Sequence, residues 1–229
     1  MPSTYPGTID AVVDINHDND INMQQAKDSG IVGVIHKASE SASFRDPRYF
    51  ERREAALAVG LKWGAYHFSS ARNVSEQFNN FMRATDWENL HDDSTLLCLD
   101  FEPSSSGPDM SLDQAHDFVT RIKNATGRWP MIYGGSLLRE SVPQHSADQV
   151  LKNCPLWYAR YRNEPIAIPI ETWPTFTLWQ YTDGHNGPAP HDVPGMGLTD
   201  RNCFQGTAAE LSVAWPFPEY YQSAPPVSP

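Results

Sequence analysis

The sequence predicts an α/β fold: an irregular TIM-like β/α barrel with about eight strands and a helix-poor second half. Three observations point there. Through the first half, short apolar runs alternate with amphipathic stretches, the order that pairs strands in parallel and covers them with helices. Eight candidate strands are present, enough to close a barrel. The length of 229 residues is long for an ordinary domain and normal for a single α/β barrel.

The elements follow in order. AVVDI (11–15) reads as the first strand, and the stretch near 21–29 as a helix that stops at Gly30. IVGVIHKA (31–38) is the second strand, its β-branched residues suiting a pleated, buried surface. DPRYFERREAALAV (46–59) places Phe50, Ala55, Leu57 and Ala58 in a helical pattern, with Gly60 as the C-terminal stop. LKWGAYHF (61–68) is the third strand, and a helix over 74–90 carries Phe78, Phe81, Met82 and Leu90 near one face. TLLCLDFE (95–102) is the fourth strand, followed by a helix over 111–125 with Asp109 or Ser111 as N-cap. The later strands are shorter, PMIYGG (130–135), PLWYARY (155–161) and FTLWQYT (176–182), and a last element near LTDRNCF (198–204) closes the set. No internal repeat or linker interrupts residues 1–215, which are expected to form the barrel. Residues 216–229, PFPEYYQSAPPVSP, read as a Pro-rich C-terminal tail, extended or packed on the surface.

Composition narrows the function classes. With 40% apolar and 20% charged residues, the chain is globular and not disordered. A net charge of −11 and a pI near 5.0 disfavour binding to nucleic-acid phosphates or anionic membranes. Cys98, Cys154 and Cys203 lie in no CxxC-type array, so structural zinc is not expected and three buried thiols are. The N-terminal stretch lacks a basic segment followed by an apolar one, and no apolar run reaches the ~20 residues of a membrane span. A cytoplasmic origin at synthesis is expected, with release by a route other than a signal peptide.

The fourth strand carries the chemistry. Side chains at i and i+2 of a strand share a face, so Asp100 and Glu102 point the same way with Cα atoms about 6.5–7 Å apart. They sit at the C-terminal end of a strand, where parallel barrels place their active sites. Two nearby carboxylates raise the pKa of one of them, and a proton kept near neutral pH makes a general acid. Asp14 ends the first strand and Asp200 lies in the last element. First and last strands of a closed barrel are neighbours, which brings these two within reach of each other. A single strand-end Asp most often caps a turn; four at matching positions ask for more.

Aromatic residues gather at the same ends: Tyr66, His67 and Phe68, then Tyr133, then Trp157 to Tyr161, then Trp179 to Tyr181. Any one of them is ordinarily core. Collected beside carboxylates, they suggest a groove that stacks sugar rings. His67 alternates away from Tyr66 and Phe68 and reads as a hydrogen-bonded core histidine. There is no HExxH spacing, GxSxG elbow, Cys–His signature, GxGxxG or P-loop, so zinc hydrolase, esterase, protease and nucleotide-binding readings are weak. Acids plus aromatics indicate glycoside hydrolysis.

The ordered pieces VVDINHDN (12–19), IHKASES (35–41), DPRYFERREAALAVGLKWGAYHF (46–68), CLDFEP (98–103), MIYGG (131–135), LWYARY (156–161), LWQYT (178–182) and TDRNCFQGT (199–207) resemble glycoside hydrolase family 25, the Chalaropsis-type lysozymes. The resemblance runs to about residue 210. It implies a catalytic barrel cleaving the β-1,4 bond between N-acetylmuramic acid and N-acetylglucosamine in peptidoglycan, with no cofactor and no metal. By the same resemblance Glu102 matches the proton donor. Asp100 matches its partner acid, which either positions the 2-acetamido group or stabilises the oxocarbenium ion. Asp14 and Asp200 match two further acids of the catalytic groove. Tyr66, Phe68, Tyr133, Trp157, Tyr161, Trp179 and Lys37 are the expected substrate-binding residues. The expected partner is the glycan strand of peptidoglycan, met outside the cell or at its wall by a monomer, with no nucleic-acid or membrane partner.

Two departures accompany the resemblance. DINHDN stands where many relatives carry Ser and Trp after the Asp, so that part of the rim is expected to bind differently. The acidic charge is unusual beside basic lysozymes, so activity is expected to depend on salt and wall type. Two other readings compete: a barrel that binds glycan without cleaving it, against which the intact acid set argues, and a metal-dependent nuclease using the D-x-E pair, which chelator sensitivity would reveal.

Overall fold

The computed structural model describes residues 5–105 and 107–218. In chain order the elements are β1 (Thr8–Ile15), α1 (Met23–Asp28), β2 (Gly33–Glu40), β3 (Phe44–Arg45), α2 (Tyr49–Ala58), β4 (Lys62–Phe68), α3 (Val74–Ala84), α4 (Trp87–Leu90) and β5 (Leu96–Asp100). Then come α5 (Leu112–Thr126), β6 (Met131–Gly134), α6 (Ser136–Ser141), β7 (Leu156–Ala159), β8 (Leu178–Thr182), β9 (Asp192–Val193), β10 (Gly197–Leu198), β11 (Asp200–Gln205) and α7 (Ala208–Ala214).

Strands run in the order β1-β11-β8-β7-β6-β5-β4-β2, and β2 pairs back onto β1, closing an eight-stranded barrel. This is the irregular barrel the sequence predicts, with one change of direction. β11 is antiparallel to both β1 and β8, while every other pairing around the ring is parallel. The reason is the connection. A parallel crossover needs a long segment, usually a helix, whereas an antiparallel return does not; the chain between β8 and β11 holds only the small β9–β10 hairpin. The helix-poor second half and the reversed strand are one fact.

Two apolar layers hold the barrel. Inside it, Val12, Ile35, Leu96, Cys98, Met131, Leu178 and Phe204 form a cluster that Trp215 and Phe217 plug from below. Trp215 donates its indole N–H to the Trp63 carbonyl at 3.0 Å. A Cβ on Gly33 would stand 2.8 Å from the Trp215 ring, so only glycine leaves room for the plug. Phe217 stacks on Phe204 with centroids 5.9 Å apart. From residue 219 on, the Pro-rich tail lies outside the described residues; its first aromatic, Phe217, is buried. Outside the barrel, Phe118, Val119 and Ile122 of α5 and Phe81 of α3 cover the sheet. Each such ring contributes about 1.5–3 kcal/mol by leaving water. Ser111 is the N-cap of α5, in a reciprocal capping box with Gln114.

Two helices differ from their sequence pattern. In α2 the expected apolar face of Phe50, Ala55, Leu57 and Ala58 faces solvent, and Tyr49, Arg52 and Ala56 are buried instead. Arg52 is the cause: its guanidinium donates to the carbonyls of Asn16, His17 and Asn19 and approaches His36 Nε2. A buried arginine satisfying a loop backbone sets the rotation of the helix, which apolar spacing cannot reveal. The expected helix over 74–90 breaks in two where Asp86 adopts φ 51°, leaving Leu90 43% exposed. His67 is buried, bonded to Ser39 and Gln77 and stacked on Phe118, as its alternation predicts. The three cysteines are buried free thiols. Among the described residues no helix is long and apolar enough to cross a membrane.

Candidate active site

At the C-terminal ends of the parallel strands lies a cavity of about 270 Å³. All eight barrel strands line it: Asp14 from β1, Lys37 from β2, Tyr66 and Phe68 from β4, Asp100 from β5, Tyr133 from β6, Trp157 from β7, Gln180 from β8 and Asp200 from β11. Asn16, Glu102, Tyr161 and Asp183 reach in from the loops just beyond. The alternation of each strand explains the set, since the residues two positions earlier (Val12, Cys98, Met131, Leu178) form the apolar interior directly below.

The four sequence-predicted acids meet here. Asp14 and Asp200 are cross-strand partners in the antiparallel β1–β11 pair and share a hydrogen bond between their carboxyls. Asp14 accepts from Gln180 Nε2 at 3.0 Å and from Asn202 Nδ2 at 2.8 Å. Asp100 is the last residue of its strand, is buried, and its Oδ1 has no hydrogen-bond partner among the described residues. Glu102 lies two residues past the strand end, in the turn. The Phe101 N–H donates to the Tyr133 carbonyl at 2.9 Å, and the Phe101 side chain is buried in the outer core. That anchor turns Glu102 toward the cavity.

Burial and mutual repulsion decide the charges. Desolvation, followed by the nearby Glu102 and Asp14, pushes the Asp100 carboxyl well above the usual range, with Lys37 opposing. Burial and then Asp14 hold Asp200 up at about 9. Burial also raises Asp14, against the hydrogen bonds it accepts. Glu102 is held up at about 7, by burial first and Asp14 second, with Lys37 pulling it down. Four carboxyls in one small space cannot all ionise at neutral pH. The cluster therefore retains protons that a bridging oxygen can receive, and keeps ionised oxygens that can face positive charge.

Lys37 is the one cation among the cavity's described lining residues. It pairs with Glu40 and lies over the Phe68 ring, 4.8 Å from its centroid. Tyr133 and Trp157 pack edge to face at 4.6 Å. Of the predicted substrate-binding residues, Tyr66, Phe68, Tyr133, Trp157, Tyr161 and Lys37 line the cavity. Trp179 does not. It is fully buried on the outer face of β8, donating to the Arg160 carbonyl at 2.8 Å and packing on Phe176 and Tyr181. Alternation is the reason: in WQY, the amide that separates the two aromatics takes the inner face.

That amide is the residue the sequence reading missed. Gln180 Oε1 accepts from the hydroxyls of Tyr133 at 2.7 Å and Tyr161 at 2.9 Å, while its Nε2 donates to Asp14. Asn202, two residues after Asp200, likewise joins Asp14 to the Trp157 indole, which donates to its Oδ1 at 2.6 Å. A polar amide at an inward position of a buried strand was the available signal. Among the described residues no group of three or more His, Cys, Asp or Glu is disposed to hold a metal ion.

Comparison with known proteins adds to this geometry. Residues 13–189 match the family model described as glycosyl hydrolases family 25. The chain is 30% identical over 212 residues to Lysozyme M1 of Streptomyces globisporus, covering 87% of this chain and 69% of that protein. It is 28% identical over 179 residues to the N,O-diacetylmuramidase of a Chalaropsis species, covering 72% and 83% respectively. The solved structure of a family GH25 lysozyme from Aspergillus fumigatus superposes with a TM-score of 0.73 at 29% identity, covering 90% of this chain and 98% of that one.

Proposed function

The chain belongs to family 25 of the glycosyl hydrolases, and from that membership we propose that it hydrolyses the β-1,4 bond between N-acetylmuramic acid and N-acetylglucosamine in peptidoglycan. One observation carries the reading: four carboxyls line a cavity walled by aromatic rings and together retain protons at neutral pH, Glu102 among them at about 7.

Glu102 is the general acid. It gives its proton to the bridging oxygen as the glycosidic bond breaks and positive charge develops at the anomeric carbon. Asp100 assists. Its unpartnered Oδ1 suits it to accept the N–H of the 2-acetamido group and to turn that group's carbonyl oxygen toward the anomeric carbon. Water then completes the hydrolysis, with the ionised Glu102 taking its proton. Asp14 and Asp200 share a proton beside the reacting centre and keep negative charge near it. Tyr66, Phe68, Tyr133, Trp157 and Tyr161 hold the sugar faces, with Tyr133 and Tyr161 fixed by Gln180. Lys37 restrains the charge of the cluster. The protein works on the cell wall as a monomer.

The test is Glu102→Gln. The variant should keep the circular dichroism of the parent and fail to clear a peptidoglycan suspension, with a rate at least 10³-fold lower. Clearing at the parent rate sinks the assignment of the acid.

A further inference from the structure

Beside the acid cavity lies a second one of about 340 Å³. Glu102, Tyr133 and Tyr161 line both, so a glycan whose bridging oxygen sits at Glu102 runs directly from one cavity into the other. Small residues line part of the second cavity: Gly135, Ser136 and Ala159. A Cβ at Gly135 would come within 3.3 Å of the Ala159 carbonyl oxygen. The cavity also carries two cations, Arg160 and Arg162.

Among the described residues neither Arg160 nor Arg162 pairs with a carboxylate, and both line the same cavity as Glu102. The backbone of Arg160 is fixed from both sides, its N–H donating to the Gln180 carbonyl at 3.0 Å and its carbonyl accepting from the Trp179 indole. The Nε of Arg160 is buried and has no hydrogen-bond partner among the described residues. A guanidinium presents donors in a fixed fork that matches a carboxylate. Arg160, its backbone fixed and no carboxylate beside it, lines a hollow next to Glu102 and can offer its guanidinium fork to an anionic acceptor there.

Building on the peptidoglycan reading, we propose that this second cavity is a carboxylate-recognising subsite. Arg160, with Arg162 at its rim, binds the carboxylate borne by a muramic acid residue, either the lactyl carboxyl itself or the carboxylates of the stem peptide attached through it. The N-acetylglucosamine units are neutral, so the lactyl substituent is the anionic feature that separates peptidoglycan from chitin. The subsite makes that distinction in binding.

Calorimetry in the Glu102→Gln background tests this with three tetrasaccharides of alternating N-acetylglucosamine and muramic acid: one with free lactyl carboxyls, its methyl ester, and one carrying the stem peptide. If the lactyl carboxyl is the ligand, the free acid binds about tenfold tighter than the ester at low salt, as a charge-assisted pair gives. If the peptide carboxylates are the ligand, that advantage belongs to the peptidyl glycan. In either case Arg160→Gln abolishes the advantage without changing ester affinity, and Arg160→Lys retains part of it. Ester affinity also reports that the variants are folded. Equal binding of all three glycans, no binding by any, or an equal loss on acid and ester in Arg160→Gln overturns the proposal. The assignment of the general acid stands or falls separately, by clearing.

Discussion

Replacing Glu102 with Gln is expected to stabilise the protein at alkaline pH while it abolishes hydrolysis. The folded state holds this carboxyl at about 7 against an ordinary value of 4.5, by burial first and then by Asp14. That difference corresponds to about 3 kcal/mol of penalty on the charged form; partial solvent contact reduces it to about 1–3 kcal/mol. Below about pH 4.5 the group is protonated in both states and no penalty exists. As pH rises the unfolded chain releases its proton first, and above about 7 the folded protein carries the charge and the full penalty. Gln has no proton to lose. The variant should therefore melt with the parent at about pH 4 and about 2–12 °C above it at about pH 8.5, taking 2–4 °C per kcal/mol for a chain of this size. Thermal melts followed by circular dichroism across that range measure the difference directly. A difference independent of pH, or a variant less stable than the parent at about pH 8.5, refutes the assignment of a buried, proton-retaining carboxyl.

Three further outcomes follow from the same geometry. The kcat/KM on soluble glycan should fall about tenfold per pH unit above about 7, where Glu102 loses its proton; a profile flat to about pH 9 contradicts the acid role. Gln180→Leu strips two tyrosine hydroxyls of their acceptor and Asp14 of a donor. It should cost about 2–4 kcal/mol in urea unfolding and at least tenfold in kcat/KM, and a variant unchanged in both is incompatible with the hub. Arg52→Met leaves three loop carbonyls unsatisfied and should destabilise by about 3–5 kcal/mol. A loss under about 1 kcal/mol would mean that the 16–19 loop does not depend on it.

Much of the site was legible because strand alternation is a strong rule and acids at strand ends are conspicuous. Asp14, Asp100, Glu102 and Asp200 all line the cavity, and even the reversed β11 keeps Asp200 opposite Asp14, because register and not direction sets that contact. Trp179 was misread because its ring chemistry outweighed its parity; the neighbouring Gln180 has the inward parity. The face of α2 was hidden because a buried arginine bonded to backbone leaves no apolar signature. The break after α3 depends on a left-handed Asp86 that helical spacing does not register. Arg160 reads in sequence as one more surface cation, and only the fold shows it lining a cavity beside Glu102.

The central claim is that this cavity cleaves the glycan on the muramic acid side. The most direct measurement is mass spectrometry of purified peptidoglycan digested by the protein and then reduced with borohydride. Muramitol is expected at the newly formed ends. Glucosaminitol there, or no new reducing ends at all, would contradict that claim.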